Sequence, residues 1–252
     1  MLNGTEKTIM NPSLLTPFLE SRCPDWICPV CGGNTLAIKE GSFCVGQTAE
    51  SSKVWVTPES GLPDMEFVFV CLLFCERTRC PAVVAATGTG FLPDSDRVRS
   101  AEKDITGNII YRAASFIPAL PAFAIPAECP EEVALPLRQS FSLFISAPGS
   151  AATALRITLE ALMDALKISG TTLHKRLEKL RNEAEYAEHM DALMALKWLG
   201  NAGSHELDRV SSKNIEDAYQ IIESVLDKIY VGSKESLAVL ITRMTRMFGP
   251  QQ

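Results

Sequence analysis

No cysteine follows Cys129 in this 252-residue chain, and seven of its eight cysteines fall between Cys23 and Cys80. Any thiol chemistry is therefore confined to the first half. Long hydrophobic runs are also missing. The most apolar window, Phe67–Cys75, is nine residues bounded by Glu66 and Glu76, well short of the ~20 that a membrane-spanning helix requires. The opening residues MLNGTEKTIMNPS hold a single lysine and no apolar stretch. Neither a secretory leader nor a membrane partner is expected, and a cytoplasmic location follows. In that reducing setting disulfides are disfavoured. An excess of positive charge is absent as well, since the net charge is -6 and acidic residues outnumber basic ones on both sides of Pro148. Non-specific grip on a phosphate backbone needs several excess cations on one face, so any contact with nucleic acid must be local. The densest basic patch, His174-Lys175-Arg176 with Lys179 and Arg181, is diluted by Glu178 and Glu183 and reads as a solvated helix face. Histidine is scarce, with only His174, His189 and His205.

What is present changes character along the chain. The cysteine-bearing half reads in short apolar runs, and Val54–Val56, Phe67–Phe74 and Ala82–Ala86 suit strands separated by polar turns. Phe116 to Pro130 (FIPALPAFAIPAECP) has four prolines at irregular spacing, which excludes a regular helix or a central strand and predicts an extended connector. From Pro130 the period becomes helical. Helices are expected over Glu131–Ser146, closed by Pro148-Gly149, and over Ser150–Lys167, with Leu155, Leu159, Leu162 and Met163 on one stripe. A shorter helix capped by Thr171 or Thr172 should run to about Ala187, followed by one over His189–Asn201. Asn214 should cap Ile215–Val231, and Ser233 should open a last helix to Phe248.

Cys28-Pro-Val-Cys31-Gly-Gly is a knuckle, with small residues after two thiols so that backbone N–H groups can turn toward sulfur. Cys75-Glu-Arg-Thr-Arg-Cys80 stands immediately behind the apolar run. Two cysteine pairs at strand ends match a zinc ribbon, in which four thiolates hold a structural Zn2+ and leave no open position for water. Cys28, Cys31, Cys75 and Cys80 are the expected ligands, with Cys71 a competitor for Cys75 because both fall on one strand face. Cys23, Cys44 and Cys129 are expected to be ordinary thiols.

The most information-rich stretch of the second half is Lys197-Trp-Leu-Gly-Asn-Ala-Gly-Ser-His205. Lys197, Asn201 and His205 recur every four residues and so project from one side of a helix. Gly200 and Gly203 each cost a helix ~1 kcal/mol relative to alanine, so something is being accommodated: a partner helix, a turn or a substrate. Gly203 could end the helix in a left-handed turn, leaving His205 near its carbonyl end. Arg156 and Glu160, four apart, form either an intrahelical ion pair or a pair in which Glu160 positions Arg156 for chemistry.

Three segments, Ala154-Leu-Arg156-Ile-Thr-Leu-Glu160, Lys197–His205 and Ser211–Tyr230, follow a proline-rich connector and a cysteine knuckle. That order resembles the bacterial "domain of unknown function 4145" family, grouped with the HEPN (higher eukaryotes and prokaryotes nucleotide-binding) helical domains. The resemblance covers roughly residues 116 to 232, and its sharpest element is Gly200-Asn201-x-x-x-His205. It implies a helical domain that often forms a homodimer and, in many members, a metal-independent ribonuclease acting in defence or as a toxin. Asn201 and His205 match the polar residue and the histidine of that motif. Its arginine position holds Gly200, and the nearest cation in sequence is Lys197.

The expected architecture is thus α+β, a small β zinc-ribbon domain followed by an all-α HEPN-like bundle. Residues 1–22 form an N-terminal extension, 23–100 the ribbon, 101–130 the connector and 131–252 the bundle. Two functions compete. One is an RNA endonuclease with His205 as acid/base and Lys197, Asn201, Arg156 and Glu160 around the phosphate. The other is a non-catalytic adaptor for nucleic acid or protein in a larger defence or restriction assembly.

Overall fold

The computed structural model describes residues 13–54, 66–92, 109–181, 189–205 and 209–231. They form two compact units: the part of the chain up to Ala124 with Phe141–Ala147, and Ile125–Ser140 with the part from Pro148 onward.

The first unit is an antiparallel sheet. Its strands are β1 (Leu36–Ile38), β2 (Cys44–Gln47), β3 (Glu66–Cys75), β4 (Val83–Phe91) and β5 (Ile110–Ile117), with a short helix α1 (Ala49–Val54) between β2 and β3. The order is β1-β3-β4-β5, and β2 pairs with β3 beside β1. Alternation explains β3: Phe69, Cys71, Leu73 and Cys75 are buried, while Val68 and Val70 point to the open face. The core beneath is aromatic. Phe18, Trp26, Phe43, Phe69, Tyr111 and Phe116 meet through mostly edge-to-face contacts, the favoured arrangement of ring quadrupoles.

Three expectations need correction here. Val54 ends helix α1 instead of opening a strand, and residues 55 and 56 lie outside the described set. The connector expected from residue 101 contains β5, which pairs with β4 from Ile110 to Ile117. Pro118, with no N–H to offer a ladder, follows the strand. The extension expected up to residue 22 is likewise part of this unit. Leu14 and Phe18 are buried, and Phe18 exchanges two backbone hydrogen bonds with Tyr111 at 2.9 and 2.8 Å.

The second unit is built from helices: α2 (Glu131–Leu143) as far as Ser140, α3 (Pro148–Ala165), α4 (Leu173–Leu180), α5 (Met190–His205) and α6 (Ser212–Leu226), closed by a π-helical turn over Asp227–Val231. Pro148 opens α3 where it was expected to close the helix before it. A first-turn proline sacrifices no intrahelical bond, and its fixed φ suits the start. The stripe Leu155, Leu159, Leu162 and Met163 is buried, as are Leu173, Leu177 and Leu180 of α4 and Ile215, Ile222, Val225 and Leu226 of α6. Thr172 caps α4 by accepting from Lys175 N. The cap of α6 is Ser211, not Asn214. Ser211 accepts from Asn214 N, and the Asn214 carbonyl oxygen accepts from Ser211 N, a reciprocal capping box. The helix expected from Ser233 lies outside the described residues. Among those described, no helix is long and apolar enough to cross a membrane.

Candidate functional site

The sheet register assembles the cysteines. Pairing of Leu36 with Cys75 carries the first knuckle, just before β1, to the end of β3. The β3–β4 connection then returns Cys80 to the same place. Cys28, Cys31, Cys75 and Cys80 place all four Sγ atoms within 4.8 Å of one another, an arrangement that could hold a metal ion. Cys28 and Cys80 are 3.7 Å apart, as are Cys31 and Cys75. A disulfide would need ~2.05 Å, whereas four sulfurs each ~2.3 Å from a tetrahedral zinc lie ~3.8 Å from one another.

The knuckle has its shape for local reasons. Gly32 is left-handed at φ 69° and donates its N–H to Cys28 O, while Cys28 N donates to Gly33 O at 2.8 Å. In the second loop Arg79 takes φ 75°, and Cys80 N donates to Arg77 O. The surroundings also act on the thiols. The Gly33 N–H aimed at Cys31 draws its pKa down to about 6, helped by neighbouring thiols and by Arg77. The Ala82 N–H favours the Cys80 thiolate, but burial and the three other sulfurs outweigh it and push Cys80 up to about 12. The first proton leaves this cluster easily and the last with difficulty. A divalent cation among the sulfurs removes the repulsion responsible. Thr35 Oγ1 lies 3.0 Å from Cys75 Sγ and supplies a further contact to the cluster.

Cys71 does not compete. It is fully buried on β3, and burial followed by the nearby Cys23 raises its pKa to about 12. Cys23 donates to Leu36 O and is raised to about 11 by burial. Cys44 is exposed, and Cys129 is half-buried beside Pro130 O.

In the helical unit, the question posed by Gly200 and Gly203 has a structural answer. α5 runs unbroken through both glycines to His205, and neither has a positive φ. They let α5 settle onto α3. A Cβ at Gly203 would lie 2.6 Å from Ala152 Cβ and collide with Gly149 O. A Cβ at Gly200 would lie 2.5 Å from Arg156 Cβ and 3.1 Å from Ala152 O. Thr153 and Ser204 then hydrogen-bond across the contact at 3.2 Å. The left-handed turn at Gly203 is not formed.

The same contact brings Arg156 to the sequence motif. Its stem covers Gly200, and its Nη2 lies 3.0 Å from Glu160 Oε1, with both side chains partly exposed. The buried Arg156 Nε has no hydrogen-bond partner among the described residues. On α5, Lys197 is half-buried and Asn201 exposed. Neither has an ion-pair or hydrogen-bond partner among the described residues. His205 is the last residue of α5; its side chain falls outside the described set.

The other histidines differ from each other. His174 is at the surface, 3.4 Å from Glu178. His189, expected at the surface, is half-buried and lines an open cavity of about 450 Å³ with Ala192, Asp217, Gln220 and Ser224. Trp198, 60% exposed on the motif helix, was also missed as a candidate. Its place two turns before His205 was the available signal.

Residues 138–248 match the family model described as Domain of unknown function (DUF4145). This supports the resemblance read from the helical half. Residues 16–114 match a different model, Domain of unknown function (DUF8608), which the cysteine spacing did not foretell. Neither curated proteins nor solved structures yielded a match.

Proposed function

We propose that the helical unit is HEPN-like and carries an RNA site in which Arg156 of α3 supplies the guanidinium that the motif lacks at Gly200. The observation that carries this reading is the seat of Arg156: its Cβ and Cγ lie directly on Gly200. A glycine there clears the way for an arginine from the neighbouring helix to reach the α5 surface. Cleavage of RNA by its own 2′-OH requires a base for that proton and donors for the charge growing on the phosphate. His205 is the candidate base or acid, because an imidazole titrates near neutrality. Arg156 and Lys197 provide positive charge, Asn201 a carboxamide free to orient the phosphate, and Glu160 holds Arg156 in place. The chemistry needs no metal. The four-cysteine cluster, whose 3.7 Å sulfur pairs suit tetrahedral thiolate coordination, holds a structural zinc that fastens the first unit.

Glu160 also supports a second reading. Its carboxylate neutralises Arg156, which leaves Lys197 as the motif cation without an ion-pair partner among the described residues. A site of that charge suits a non-catalytic adaptor in a defence or restriction assembly, binding RNA or a protein partner, with a homodimer as the expected form. Single-stranded RNA incubated with the zinc-loaded protein, with no divalent cation added, separates the two. The first reading expects cleavage that His205→Ala and Arg156→Ala abolish. Intact RNA with wild type and both variants alike leaves the adaptor.

A further inference from the structure

Trp198 is the largest exposed apolar side chain of the helical unit, and nothing in the packing accounts for it. It is 60% exposed, whereas Leu193, Leu196 and Met194 of the same helix are buried. Its neighbours one turn away along α5 are Ala195 and Ala202 on one flank, and Asn201 and the buried Met194 on the other. The alanines and Asn201 are too short to cover an indole, and Met194 is turned into the core. No ring or cation lies on it among the described residues. Positions 198, 201 and 205 are spaced i, i+3 and i+7, so Trp198 and Asn201 share the helix face on which His205 ends.

We infer that Trp198 is a stacking platform for a base of single-stranded RNA, holding the strand so that its phosphate falls beside Asn201 and Lys197. The inference rests on the proposed RNA site and names the substrate as unpaired, because a base inside a duplex cannot offer its face to an indole. The chemistry on this face points the same way. Lys197, for the phosphate, is set about 100° round the helix from Trp198, and Asn201 lies between them with no hydrogen-bond partner among the described residues. Base–aromatic stacking tolerates any sequence, which suits a site with so few groups for reading base edges. Asp191, two turns before Trp198 on this face, is the opposing charge; its carboxylate lies 3.9 Å from Arg181.

The test compares an oligouridine with an abasic oligomer of equal length and charge, titrated into the full-length protein at one salt concentration. Wild type is expected to prefer the oligouridine. Trp198→Ala should lose roughly tenfold or more in affinity for it, the usual effect of removing one stacking partner. Trp198→Phe should retain most of the affinity, and none of the three proteins should differ on the abasic oligomer. Equal binding of both oligomers by wild type, or full affinity in Trp198→Ala, overturns the stacking role while leaving the phosphate site standing. Failure of wild type to bind either oligomer overturns both. A Trp198→Ala protein that binds RNA normally but changes its mass in solution would assign the indole to an interface between copies instead.

Discussion

Gly203→Ala should destabilise the helical unit even though alanine is the better helix former. Intrinsic propensity favours the substitution by ~1 kcal/mol, and an exposed helical glycine would show that gain. Here the new methyl would lie 2.6 Å from Ala152 Cβ and collide with Gly149 O. Comfortable carbon contacts are ~3.5–4.0 Å, so α3 and α5 would have to part by about 1 Å along their closest approach. One of the atoms in the way is backbone, which has no rotamer through which to yield. Overpacking of this kind costs ~1–3 kcal/mol, and after the propensity gain a net loss of up to ~2 kcal/mol remains. For a chain of this size each kcal/mol lowers the thermal midpoint by ~2–4 °C. Far-UV ellipticity followed through heating and through urea measures it. A midpoint raised by the full ~1 kcal/mol propensity gain would refute the reasoning, because it would mean that Gly203 is not pressed against α3.

The cysteine assignment predicts one tightly held zinc per chain. Cys75→Ser should lose the metal and unfold the first unit with it, while Cys71→Ser keeps the metal; metal analysis after dialysis decides between them. Burial and, next, the neighbouring Asp227 raise the Glu223 carboxyl above its ordinary value. The folded state then holds that proton more tightly than the unfolded one, so ionisation of Glu223 opposes folding at neutral pH. Glu223→Gln should raise the denaturation midpoint at neutral pH and lose that advantage as the pH falls through the carboxylate range. The opposite sign at neutral pH would show that the Glu223 carboxylate gains an attraction that outweighs its burial.

The parts of the fold most legible in the sequence were those with a strong period. β3 declares itself by a run too short for a helix in the membrane and flanked by acids, and α3 by a continuous leucine stripe. β5 was hidden because its ladder partners are small or polar, Gly88 to Ala113 and Thr87 to Ser115, and its last residues adjoin a proline-rich stretch. Proline excludes a central strand but not the residues before it. The α6 cap was misplaced by three residues because Ser211 and Asn214 both favour helix starts, and only the reciprocal hydrogen bonds distinguish them. In the site, the four-cysteine cluster was legible because the spacing within each cysteine pair is a local constraint. The contact between Arg156 and Gly200 was not, since it joins residues 44 positions apart through a helix crossing. The glycines signalled that something approaches closely without saying what it is.

The claim that Arg156 takes the place of the missing arginine is tested most directly by RNA affinity across a salt series. Single-stranded RNA is titrated into wild type, Arg156→Lys and Arg156→Ala. The account predicts that Arg156→Ala binds about tenfold more weakly and that the slope of log affinity against log salt falls by ~0.7, the loss of one phosphate contact. Arg156→Lys should keep the slope and lose part of the affinity. The same affinity and slope in Arg156→Ala as in wild type would contradict the account, leaving Arg156 as the partner of Glu160 and nothing more.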